Sequence, residues 1–160
     1  MKHIMRMFIA FSLLALSFPA AAKPWKIKEG CTLIPNPAND GDSFHIKWHT
    51  RHYIFRLYFV DTPETDDSVP ERVKEQAAYF GIDEQSAIRI GKEAKKFSQN
   101  FLENKELTVW TKLDDALGRS QIDRDYAFVK VGDRDLAEAL VSNGLARIYG
   151  TDITPPEDDS

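Results

Sequence analysis

The alternation from Phe44 to His49 constrains this chain more than any other feature of its sequence. Phe44, Ile46 and Trp48 take every second place, with His45, Lys47 and His49 between them. A period of two puts the apolar side chains on one face of a strand and leaves the other face to water. Asp40-Gly41, just upstream, is a turn signal. The polar stretch 49–52 can reverse the chain, and Tyr53 to Val60 reads as a second strand. That strand ends at Asp61-Thr62-Pro63, because proline has no N–H to give to a ladder. The two runs predict an antiparallel hairpin.

The rest of the chain extends this beginning. Lys23 to Asn39 carries Pro24, Pro35 and Pro37 and reads as an irregular entry segment. Residues 64–81 are polar, with Pro70 and Gly81 as breakers, and read as a loop with a helical turn near Val73 to Tyr79. Ile82 to Glu103 predicts the main helix. Ala87, Ile90, Ala94, Phe97 and Phe101 recur at spacings of three and four and share one face, and Asp83 is placed to cap it. Gly91 inside that helix costs about 1 kcal/mol relative to alanine, so packing has to hold the helix together. Strands are expected at Glu106 to Lys112 and at Tyr126 to Val131. A short helix follows around Leu136, Ala139 and Leu140, closed by Asn143-Gly144, with a last strand at Ala146 to Tyr149. Short strands interrupted by a helix predict a β-barrel with helices packed on it (α+β). The OB-fold is the candidate architecture, and such barrels bind oligonucleotides.

The ends read differently from this middle. Lys2 and Arg6 precede a mostly apolar run from Phe8 to Phe18, and Ala20-Ala21-Ala22 follows. Positive start, short apolar core and small residues form the pattern of a secretory signal peptide, and the run is too short to span a bilayer comfortably. Residues 1–22 are therefore expected to be removed. The chain then starts at Lys23, is periplasmic or secreted, and has no membrane attachment. Thr151 to Ser160 is proline-bearing and acidic, as disordered tails are. One domain, residues 23–150, lies between. Cys31 is the one cysteine of 160 residues, which excludes an intramolecular disulfide framework and a cysteine-based zinc cluster. It reads as a small buried hydrophobe, with an intermolecular disulfide as the alternative. The net charge is −4 and becomes −6 without Lys2 and Arg6. General attraction to polyanions is excluded at that charge, so any polyanion site must be local.

A cluster of carboxylates brings in chemistry. Asp40-Gly41-Asp42 opens the first hairpin strand, and Asp61-Thr62-Pro63-Glu64 closes the second. In a hairpin these two points lie at the same end of the sheet, so Asp42, Asp61 and Glu64 can converge. Carboxylates held together repel one another, and a hard cation such as Ca²⁺ resolves the repulsion by taking oxygen ligands. Arg56 belongs to the same hairpin. A cation polarises a phosphoryl oxygen and a guanidinium forks onto two more, so the combination suits a phosphodiester. The same residues also suit a plain turn and a plain strand end. His45, His49 and His52 read as solvated positions, Trp48 and Trp110 as core or rim aromatics, and Lys92, Lys95 and Lys96 as a solvated helix face.

Asp40-Gly41-Asp42-Ser43, Phe55-Arg56-Leu57 and Val60-Asp61-Thr62-Pro63-Glu64-Thr65 together resemble the staphylococcal-type nucleases, or thermonucleases. The stretch Asp135-Leu136-Ala137-Glu138-Ala139-Leu140-Val141, then Gly144-Leu145-Ala146, is similar to that family in the same order. The resemblance implies a five-stranded OB-type barrel and a Ca²⁺-dependent endonuclease that hydrolyses DNA or RNA to 3′-phosphate ends. It implies Asp42 and Asp61 as Ca²⁺ ligands through their carboxylates, and Thr62 through its backbone carbonyl. Glu64 would take a proton from the attacking water or orient it, and Arg56 would hold the scissile phosphate. A second arginine would assist from the other side. Counting back from Tyr126 without a gap places it at Arg124, and Gly118-Arg119 offers Arg119 as the alternate. A monomer is expected. The rival assignment is a non-catalytic OB-type module that binds an oligonucleotide or a protein partner.

Overall fold

The computed structural model describes residues 23–116, 123–150 and 153–156. The expected signal segment, Arg119 and most of the expected tail lie outside the described residues. Among those residues, five strands close into a mixed barrel with three helices packed on it. The hairpin forms as expected. β2 (Ser43–Trp48) pairs antiparallel with β3 (Arg51–Leu57), with Ser43 opposite Arg56 and Trp48 opposite Arg51. β3 is shorter than the sequence implies. It breaks at Tyr58 and at Phe59, whose φ is +62°, before the two-residue β4 (Val60–Asp61).

The entry segment holds a strand that the sequence hides. β1 (Lys26–Leu33) pairs with β2 through Thr32 and Leu33, and with the later β5 (Leu107–Thr111) through Lys26, Ile27, Lys28 and Cys31. Its register shifts between Lys28 and Cys31. Gly30 sits in that shift with φ +69°, a conformation glycine adopts without a side-chain clash. The irregularity breaks the period of two, so β1 buries only Lys28 and Cys31.

A second departure lies between the hairpin and the main helix. The helical turn expected near Val73 to Tyr79 is part of a full helix, α1 (Pro70–Phe80), which also takes in surrounding residues expected as loop. Pro70 starts this helix, because a first-turn residue needs no N–H partner. α2 (Glu84–Leu102) is the expected long helix, and the Asp83 carboxylate accepts from Ser86 N at 2.8 Å as its cap. Its buried stripe is Ala87, Gly91, Ala94, Ser98, Phe101 and Leu102. Ile90 and Phe97 are only half-buried, so the stripe is turned toward smaller residues than expected.

β5 pairs antiparallel with β6 (Asp125–Val131). β6 then lies parallel to β3, with Phe55 opposite Asp125 and Leu57 opposite Ala127, and this pairing closes the barrel. β7 (Arg134–Asp135), α3 (Leu136–Ser142) and β8 (Arg147–Ile148) complete the chain, and β8 pairs with β4. The core holds Phe44, Ile46, Phe55, Leu57, Leu107, Val109 and Val129 from the barrel, with Phe101, Leu102, Leu136 and Leu140 from the helices. Cys31 is fully buried there, and its Sγ donates to Lys28 O. Burial pushes the thiol up to about 11, which keeps it protonated and unreactive at neutral pH. No helix among the described residues is long and apolar enough to cross a membrane.

Candidate active site

Three stretches meet at one end of the barrel: residues 40–43 before and in β2, residues 61–64 at the end of β4 and just after it, and one face of α1. α2 is the platform beneath the first two. Ser98 Oγ donates to Gly41 O at 2.6 Å. Gly91 lies so close under the second stretch that a Cβ there would fall 2.2 Å from Glu64 O and 2.5 Å from Pro63 O. The absence of a side chain at Gly91 therefore lets the loop rest on the helix backbone.

Asp42 and Asp61 converge, as the hairpin argument requires, and one arginine atom joins them. Arg56 Nη2 donates to Asp42 Oδ2 at 3.1 Å and to Asp61 Oδ1 at 2.8 Å. Both carboxylates are almost wholly buried, at 3% and 0% side-chain exposure. Asp42 Oδ2 also accepts from Thr62 N at 2.9 Å, which fixes the second loop to the first. Asp61 is the most densely bonded group of the site. Its Oδ1 accepts from Arg72 Nη2 at 2.7 Å as well, and its Oδ2 from Gln76 Nε2 and Arg147 Nε at 3.0 Å each. Burial alone would raise this acid. The Gln76 amide and the Arg72 and Arg56 charges outweigh burial and hold Asp61 below the usual carboxylate range. Burial likewise disfavours the charge on Arg56, but Asp42 and Asp61 keep it firmly protonated.

Glu64 joins through an intermediary. Arg72 Nε donates to Glu64 Oε1 at 2.5 Å while its Nη2 holds Asp61. Glu64 is 32% exposed, so water reaches it, unlike the two aspartates. Arg124 approaches from the β6 side. Its Nη1 donates to Ser43 Oγ at 3.0 Å, and Ser43 Oγ lies 3.3 Å from Asp42 Oδ1. Arg124 Nε is buried and has no hydrogen-bond partner. An unpaired buried donor is costly, and among the described residues Arg124 Nε is the one buried side-chain nitrogen or oxygen so placed. The sequence candidates Asp42, Arg56, Asp61, Thr62, Glu64 and Arg124 are thus brought together.

Three further residues of the site escape sequence analysis: Arg72 and Gln76 on α1, and Arg147 on β8. Arg72 and Gln76 stand four apart, the spacing that places two side chains on one helix face. That signal becomes visible only once residues 70–80 are recognised as a helix. Arg147 is 5% exposed and spans Asp61 and Glu75, its Nη2 donating to Glu75 at 2.7 Å. It occupies the strand position opposite Asp61.

Among the described residues, no group of three or more His, Cys, Asp or Glu side chains is arranged to hold a metal ion. The expected donor set has two carboxylates and the Thr62 carbonyl, all hard oxygens of the kind Ca²⁺ takes. Among the described residues Asp42 Oδ1 is met only by the Ser43 hydroxyl at 3.3 Å, at the long end for such a bond. The donor chemistry therefore fits the cation. The positive charge beside Asp61 in this structure comes from Arg56, Arg72 and Arg147.

Asp40 stands beside this set and accepts from Asp42 N at 3.1 Å and Ser43 N at 2.7 Å. Burial first, and then the Asp42 charge, push its carboxyl up to about 7. A raised acid stabilises the fold below its unfolded pKa and loses that contribution as pH rises through the folded value. Asp40→Asn keeps an oxygen for both N–H groups and cannot ionise. In chelator, its stability advantage over wild type is expected to grow from pH 4 to pH 7 and then level off, at a few kcal/mol in all. Denaturant melts of both proteins across that range measure it, and a difference independent of pH would show that Asp40 does not titrate there.

Residues 54–160 match the family profile described as Staphylococcal nuclease homologue. The matched stretch contains Arg56, Asp61, Thr62, Glu64, Arg72, Gln76, Arg124 and Arg147, and Asp42 precedes it.

Proposed function

Since the chain belongs to the staphylococcal nuclease homologue family, we propose that it is an exported, Ca²⁺-dependent endonuclease that cleaves DNA or RNA and leaves 3′-phosphate ends. The observation that carries this reading is the bridge from Arg56 to the buried carboxylates of Asp42 and Asp61. A binding surface needs phosphate-reaching cations but no pair of buried aspartates. A site that must hold a cation against a phosphodiester needs both.

Asp42, Asp61 and the Thr62 carbonyl would hold Ca²⁺. When bound, the ion supplies positive charge that polarises a phosphoryl oxygen. The chain's own residues do the rest. Arg56 uses Nη2 for the two carboxylates, so its other N–H groups remain for the phosphate. Arg124 meets the same group from the far side of Ser43. Charge that builds on the phosphoryl oxygens during in-line attack is stabilised by these positioned cations. Glu64, the solvent-reached acid, orients water and takes its proton. The water oxygen bonds to phosphorus as the P–O bond to the 5′ oxygen breaks, that oxygen takes a proton from solvent, and phosphate stays on the 3′ oxygen. Within a chain of net negative charge, Arg56, Arg72 and Arg124 are the local cations such a substrate would meet, the first two held in place by Asp42, Asp61 and Glu64.

The test is cleavage of labelled single-stranded DNA and RNA at low salt by the exported protein, its start at Lys23 checked by intact mass. Cleavage with Ca²⁺, none with chelator, and 3′-phosphate ends are expected. A folded protein that binds the strands and never cuts them would replace the enzyme with a binding module.

A further inference from the structure

Gln76 is fully buried, yet its amide contacts only groups of the site. Its Nε2 donates to Asp61 Oδ2 at 3.0 Å and to Thr62 O at 3.1 Å, and its Oε1 accepts from Glu64 N at 2.9 Å. The amide cannot be turned over. The Asp61 carboxylate and the Thr62 carbonyl only accept, and the Glu64 N–H only donates. One side chain therefore reads three polar groups within four residues, and each has a single correct partner. A buried polar group satisfied at every atom fixes its surroundings, whereas a half-satisfied one destabilises them.

We infer that Gln76 is the positioning residue of the site, holding Asp61, Thr62 and Glu64 in the one arrangement in which ligand oxygens and base face the same substrate. The inference rests on the nuclease reading above. Gln76 touches neither substrate nor reacting atoms. It acts through the two groups expected to hold the cation and through the backbone of the base. The loop has no regular secondary structure between Thr62 and Glu64, so the ladder hydrogen bonds that fix a strand are missing there. α1 supplies the substitute. Arg72, one turn earlier on the same helix, adds its bonds to Asp61 and Glu64. Helix α1 thus acts as a template for the loop, and Gln76 is its buried contact.

Two variants separate positioning from packing. Gln76→Met keeps the volume and removes all three hydrogen bonds. Gln76→Glu keeps the shape and the acceptor for Glu64 N–H, but turns an oxygen toward Asp61 and Thr62 O. Three readouts apply: turnover on single-stranded DNA with Ca²⁺, amide hydrogen exchange at Glu64 in the substrate-free protein, and thermal melting. Both variants should lose turnover about 10–100-fold, the usual effect of removing a residue that orients a ligand group. KM should move by less than about threefold, as for an interaction absent from substrate binding. The Glu64 amide should lose protection in the methionine variant and keep it in the glutamate variant, while Val109 and Ala127 in the barrel stay protected in both. Normal turnover with a protected Glu64 amide in Gln76→Met would overturn the inference, as would a lower melting temperature alone. If wild type itself does not cut, the nuclease reading fails, and exchange at Glu64 still decides whether Gln76 positions the loop.

Discussion

Glu64→Gln is expected to lower turnover about 10²–10⁴-fold, the range for loss of a general base, and to leave the fold intact. The two halves of that expectation have different origins. Asp42 and Asp61 are buried at 3% and 0% side-chain exposure, and Glu64 is at 32%. The aspartates are structural members of a network: changing Asp61 takes one carboxylate partner from each of Arg56, Arg72 and Arg147, and changing Asp42 takes one from Arg56. Among the described residues the Glu64 side chain meets one partner, Arg72 Nε, and a glutamine oxygen can still accept that bond. The amide lacks any capacity to take a proton from water. Cleavage rates compared with melting curves for both proteins test the point. A variant that melts normally and cuts at nearly the wild-type rate would remove Glu64 from the chemistry.

Gly91→Ala should destabilise the protein by about 2 kcal/mol, within the range for overpacked sites, although helix propensity alone predicts the opposite. Glycine in a helix interior costs about 1 kcal/mol relative to alanine, so an unconstrained position would gain stability. Here the new Cβ would sit 2.2 Å from Glu64 O and 2.5 Å from Pro63 O. Both obstacles are backbone, so no side chain can rotate away. The loop has to lift from α2, which pulls against the Gln76 bond to Glu64 N and the Thr62 N bond to Asp42. Turnover should fall with stability, because the lifted loop carries Glu64. Denaturant unfolding measures the first effect, and an alanine variant more stable than wild type would mean that helix and loop do not meet at this position.

The hairpin, α2 and its Asp83 cap, β5, β6 and α3 are legible in the sequence because each follows its own local rule. Strand alternation and helical spacing survive wherever an element buries one regular face. β1 is illegible because the register shift at Gly30 takes Lys28 and Cys31 out of alternation. α1 is legible only as a turn near Val73 to Tyr79, for a more telling reason. Its buried face presents Val73, Gln76 and Ala77, and the polar Gln76 interrupts the apolar stripe that would mark a helix. The residue that hides α1 is the one that holds the loop. Asp42, Arg56, Asp61 and Glu64 are legible because two hairpin strands bring their ends together by geometry alone. Arg72 and Arg147 are not, since their places depend on α1 and on the pairing of β8 with β4.

The parallel pairing of β3 with β6 closes the barrel between residues far apart in sequence. Arg56 stands opposite Tyr126 in that pairing, and Asp61 opposite Arg147 in the pairing of β4 with β8. Each contact joins residues far apart along the chain, and such contacts form late because the intervening loop must close first. A chain that has emerged only as far as α2 holds both aspartates and Glu64, but neither Arg124 nor Arg147. Ribosome-bound and truncated chains should therefore be inert toward nucleic acid. On the nuclease reading, cutting would then start only with the finished barrel.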